Sequence, residues 1–108
     1  MKEAWLFAAQ RLSAMVLAPL VLLHLGTVLY AVRGGLSADE ILSRTEGSLF
    51  WGAVYGLFVL AAAVHAPIGL RAVLSEWCRW RGAGLDIAMG LFGLLLLALG
   101  LRAVMAVL

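Results

Sequence analysis

Formal charge is distributed along this chain in a way that leaves few folds open. There is no Asp, Glu, Lys or Arg between Arg11 and Arg33, none between Glu46 and Arg71, and none from Ile87 to Leu101. The first two runs exceed the roughly 20 residues that a helix needs to cross a hydrocarbon core of about 30 Å. The third is shorter, but the flanking Asp86 and Arg102 can reach the interface with their polar ends. The pattern predicts an all-α membrane protein with three transmembrane helices, at about 12–32, 48–71 and 84–106. Composition agrees: 65% of the residues are hydrophobic and 13% charged, whereas a soluble domain has about a quarter charged. Residues 1–108 read as one membrane domain, with no internal repeat and no low-complexity segment.

The first run is longer than the apolar core of a signal peptide and lacks a small-residue cleavage site, so it reads as a retained helix. A net charge of +2, scattered along the chain, does not make a nucleic-acid surface. Cys78 is the only cysteine. That excludes an internal disulfide, a C-x-x-C-H haem attachment and an all-cysteine iron–sulfur cluster within one chain.

Orientation follows from basic residues near the ends of the helices. Lys2, Arg11, Arg71, Arg79 and Arg81 fall on one side, against Arg33, Arg44 and Arg102 on the other. The positive-inside bias puts the N-terminus and the second loop in the cytoplasm. Trp77 and Trp80 suit that interface; Tyr30, Trp51 and Tyr55 suit the opposite one. MKEAWLFAAQR reads as an amphipathic segment lying at the interface before the first helix enters the bilayer. In the outer loop, Ser37 and Glu40 have capping-box spacing and predict a short helix over Ala38–Arg44. Pro19 predicts a kink in the first helix. Gly52 and Gly56 have the G-x-x-x-G spacing that permits close helix contact. Gly90, Gly93 and Gly100 mark the third helix as packing scaffold.

Among the polar side chains inside the apolar runs, two stand out, His24 and His65. A histidine within a bilayer has few cheap partners, so its presence argues for function. Histidine is a standard axial ligand of haem iron, and helical bundles supply such ligands from facing helices. Around His65 the neighbours Ala61, Ala62, Ala66 and Gly69 are small, which gives a flat group close access. Pro67 leaves the Ala63 carbonyl without its helical donor. Counted from Arg11 and Arg71, His24 lies about 20 Å into the membrane and His65 about 9 Å, at 1.5 Å per residue. One chain therefore does not clamp one haem between its own two histidines; each needs a partner from a second chain. At the cytoplasmic rim, Arg11, Ser13, Arg71, Glu76 and Trp77 offer hydrogen-bond donors and an aromatic wall, a chemistry that suits a quinone.

QRLSAMVL at the start of the first helix and HAPIGLRAVLSEW at the end of the second resemble the small membrane-anchor subunits of succinate dehydrogenase and fumarate reductase. Those anchors open with an H-R-x-S-G-like motif and carry H-x-x-x-G-(I/L)-R, followed by an acidic–aromatic pair, on the second helix. By position, the resemblance implies that His65 is an axial ligand of a b-type haem. It puts Arg11 and Ser13 in the quinone pocket, with Arg11 near a haem propionate, and sets Glu76 and Trp77 in the place of the family's Asp-Tyr pair. His24 resembles the second histidine of two-haem members; it either binds a second haem iron or is unliganded. The chain departs from the pattern at Gln10, where histidine is frequent, at Ala14, where glycine is usual, and at Trp77, which has an indole N–H but no hydroxyl.

The resemblance implies an anchor in a bacterial inner membrane, part of a multi-helix bundle with a second anchor chain, identical or different. It would dock a flavoprotein with FAD and an iron–sulfur protein, exchange electrons with quinone and catalyse nothing alone. A different class also fits three short helices: a non-redox membrane protein, either hole-forming or a packing subunit of a transporter. The orientation is tested by a cysteine introduced at Ser43, which is expected to react with an impermeant thiol reagent on intact cells. Labelling only after lysis would reverse the topology.

Overall fold

The computed structural model describes residues 2–108. It contains four helices: α1 (Lys2–Gly34), α2 (Ala38–Thr45), α3 (Leu49–Trp77) and α4 (Ala83–Val107). No strand occurs among the described residues. α1, α3 and α4 are each long and apolar enough to cross a membrane, and α2 is a short helix in the connection between α1 and α3.

The helices outrun the apolar spans at the end where α1 begins. α1 starts at Lys2 and runs on without a break, so the N-terminal segment is a helical extension rather than a separate interfacial piece. α3 continues past Arg71 to Trp77. Neither Lys2–Gln10 nor Ala72–Trp77 contains Gly or Pro, so nothing local stops the helix where the charges begin. Both internal prolines, Pro19 and Pro67, lie inside continuous helices. α1 ends at Gly34 because Gly35 turns the chain with φ +127° while its N–H donates to the Ala31 carbonyl at 2.8 Å. Ser37 then caps α2, its hydroxyl accepting from the Glu40 N–H at 3.2 Å.

α3 is the middle helix, packed against α1 on one side and α4 on the other. Hydrogen bonds and ion pairs tie both ends. At one end Asp86 of α4 accepts from Lys2 of α1 and from Arg71 Nε of α3 at 2.9 Å, and Arg71 also reaches Glu3 at 3.5 Å. The start of α1, the end of α3 and the start of α4 therefore share one side of the membrane. At the other end the Thr45 hydroxyl donates to the Val107 carbonyl at 2.7 Å, and the Gly47 N–H donates to the Leu108 carbonyl at 3.0 Å. The end of α2 and the loop after it thereby occupy carbonyls that the end of α4 leaves unpaired.

The interior is thin. Ala61, Pro67, Leu85 and Val104 are the buried apolar residues among those described, with Ser13 and Thr45 as buried polar ones. Most large side chains face outward, as suits helices solvated by lipid tails or by further helices, where small residues decide how closely backbones approach. On the α3–α4 seam those residues are Gly93 and Gly100 of α4. A Cβ at Gly93 would stand 3.2 Å from the Ala63 carbonyl oxygen and 3.2 Å from Pro67 Cγ. The hydrogen that it would replace thus points at the carbonyl that Pro67 leaves without a helical donor, the geometry of a Cα–H···O contact. A Cβ at Gly100 would meet Val59 at 2.5 Å. Gly56, by contrast, has nothing within 4 Å, so only Gly52 of the G-x-x-x-G pair makes a close approach, to Leu108 just past the end of α4. Gly93→Val is expected to destabilise the fold by about 1–3 kcal/mol through overpacking. Gly56→Ala should stabilise it by about 0.5–1 kcal/mol, the helix preference for Ala. Unfolding of the detergent-solubilised protein measures both.

Candidate functional site

The polar side chains buried along the α1–α3 seam converge on one point. Ser13 is 7% exposed, and its hydroxyl donates to the Gln10 carbonyl at 3.0 Å in the back-bond typical of serine within a helix. The same oxygen lies 3.2 Å from His65 Nδ1. His65 is half-buried, on the side of α3 that meets α1. Gly69, one turn further along, lies under the Gln10 amide: a Cβ there would come within 3.3 Å of Gln10 Nε2. The Gln10 amide oxygen is buried and has no hydrogen-bond partner among the described residues. The polar accounting of the seam is therefore left open beside His65, where a buried acceptor without a donor carries a cost of about 1–3 kcal/mol.

His24 sits elsewhere. It is exposed at the edge of α1, with its ring 5.3 Å from Phe58 and 6.3 Å from Tyr55, centroid to centroid. It lines an open groove of about 860 Å³ with Tyr30, Arg44, Thr45, Trp51 and Tyr55. Ser13 is level with His65, and His24 is 11 residues further along α1 by its number, about 16 Å at 1.5 Å per residue. The two imidazoles thus lie at different depths, on the same seam.

The rim residues do not close into one pocket within this chain. Arg11 and Ser13 are two positions apart and so point to nearly opposite sides of α1; Ser13 faces α3, while Arg11 is exposed with its guanidinium 5.7 Å from the Phe7 ring. Arg71 is held by Asp86 and Glu3. Glu76 is exposed, and Trp77 is 82% exposed. Asp86 is the residue that sequence reasoning missed, having entered only as a flank of the third span. Its one signal was position, an acid in the first turn of a helix. On the other face of α3, an open groove of about 460 Å³ runs between α1 and α4. Lys2, Arg71 and Asp86 form its mouth and Val64, Pro67 and Gly93 part of its apolar wall.

A family model described as the succinate dehydrogenase/fumarate reductase transmembrane subunit matches residues 1–101. No curated protein and no solved structure gives a match.

Proposed function

The chain belongs to the family of succinate dehydrogenase/fumarate reductase transmembrane subunits, and on that premise we propose that it is the haem b-binding membrane anchor of such a complex, in a bacterial inner membrane. The observation that carries this reading is His65: a half-buried imidazole within an uncharged span, in contact with a buried hydroxyl. Its surroundings fit the group. No three His, Cys, Asp or Glu side chains cluster among the described residues, but haem iron takes four nitrogens from the porphyrin and needs only axial ligands from protein. Ala62 and Ala66 leave the α3 surface beside His65 low, while Gly69 is covered by Gln10 of α1. His65 would hold the haem iron together with a ligand from the partner anchor, since His24 is at a different depth. His24 then serves a second haem, or packs against Phe58 and Tyr55 without ligating. Bound haem would supply a one-electron carrier inside the membrane.

The side shared by the α1 start and the α3–α4 loop is the cytoplasmic side in this reading. There the exposed Arg79, Trp80 and Arg81 offer a docking surface to an iron–sulfur subunit, which carries electrons from a flavoprotein with FAD. Arg11 and Trp77, both exposed, are this chain's contribution to a quinone pocket that the partner anchor completes. The Arg11 guanidinium donates to a quinone carbonyl and Trp77 walls the ring. Glu76, open to water, passes protons to the site, since quinone reduction consumes them. Arg71 supports this rim by joining α3 to α1 and α4. Family membership leaves the hole-forming and transporter readings without support.

His65→Leu is expected to remove or grossly change the low-spin b-type spectrum of the purified complex. An unchanged reduced-minus-oxidised spectrum would refute the ligand assignment. Arg11→Leu should slow quinone reduction while electron transfer from the dicarboxylate to a soluble dye, which draws on the peripheral subunits, stays intact. Equal loss of both activities would make Arg11 an assembly contact instead.

A further inference from the structure

Two proton arrangements are open to the Ser13–His65 pair, and they exclude each other. In one, the ring proton is on Nδ1 and donates to Ser13 Oγ, while the Ser13 hydroxyl donates to the Gln10 carbonyl. In the other, the ring proton is on Nε2 and the single Ser13 proton turns to Nδ1, so the Gln10 carbonyl loses it. The first makes two hydrogen bonds and the second makes one. In a bilayer-embedded seam with few other donors, the count decides. Both contacts are within hydrogen-bond reach of the one hydroxyl, the Gln10 carbonyl at 3.0 Å and His65 Nδ1 at 3.2 Å.

We propose that Ser13 is a positioning residue that fixes the His65 tautomer, holding the proton on Nδ1 and leaving the Nε2 lone pair free to bind iron. The inference rests on the haem-anchor reading but goes beyond it. It moves Ser13 from the quinone pocket, where its one proton would have to serve a carbonyl, to the support of the ligand. The Gln10 carbonyl completes the relay: by taking the hydroxyl proton, it obliges Ser13 to act as acceptor toward the ring. A second bond of this kind on a ligating imidazole both orients the ring and makes Nε2 a stronger donor. A stronger donor favours the ferric over the ferrous state. Ser13 therefore holds the haem potential down as well as the haem in place.

The test uses the intact purified complex and reads the haem rather than turnover. Ser13→Ala is expected to retain a low-spin spectrum but to raise the midpoint potential and weaken haem retention by roughly ten- to a hundred-fold, as for other outer-shell partners of metal ligands. Ser13→Thr, whose hydroxyl makes the same back-bond in a helix, should restore both. A Ser13→Ala complex with wild-type potential and haem retention overturns the inference. Should the alanine variant fail to assemble, the wild type decides the matter. With ring-labelled histidine, its redox-difference infrared spectrum should show the ligand ring band of a hydrogen-bonded Nδ1–H. A band for a free Nδ1–H overturns the inference. If His65→Leu loses the haem while Ser13→Ala leaves the potential untouched, only the role of Ser13 falls. If His65→Leu keeps its spectrum, the ligand assignment and this inference fall together.

Discussion

A helix in hydrocarbon satisfies its own backbone, but a polar side chain that its own helix does not fully satisfy must find its partner on another element. In this chain that requirement produces three joints, and the arrangement of the helices depends on them. Asp86 gathers Lys2 and Arg71 at one end. Ser13 meets His65 along the α1–α3 seam. Thr45 and Gly47 take the last carbonyls of α4 at the other end. Each bond of this type contributes only about 0.6 kcal/mol on average in a membrane, so packing supplies most of the stability. What the joints supply is register. A slide of α1 along α3 by one residue, about 1.5 Å, would part Ser13 from His65 and leave the ring nitrogen without that partner.

The packing that carries the stability also has to accommodate a proline. Pro67 removes one helical hydrogen bond from α3, two residues beyond His65. Gly93 brings the α4 backbone against the carbonyl so released, so the break is covered on the side away from α1. The disturbance and the ligand candidate therefore occupy different faces of the same turn.

The membrane spans were legible in the sequence because a charge-free run of helix length has little use outside a bilayer. Their ends were less so. The boundary of the hydrocarbon limits the apolar run but does not break a helix, and Lys2–Gln10 and Ala72–Trp77 contain no residue that would. His65 was identifiable as a polar group in a costly place and Ser13 as a hydrogen-bonding group at the rim, yet their pairing was not. They are 52 positions apart, and the pairing follows from the relative height and rotation of two helices, which no local pattern encodes. The same holds for Arg71 with Asp86. The rim residues were grouped by depth alone. Depth is readable from the number of residues between charges, whereas facing is not, and facing separates Arg11 from Ser13.

The central claim is that the α1–α3 seam presents one imidazole nitrogen to a haem iron shared with another anchor chain. A density map of the intact complex at a resolution that shows side chains and iron tests it most directly. The account predicts His65 Nε2 bound to haem iron, a histidine of a second anchor on the opposite axial side, and Ser13 Oγ on Nδ1. A haem ligated by other residues, or a His65 ring with no iron beside it, would contradict it.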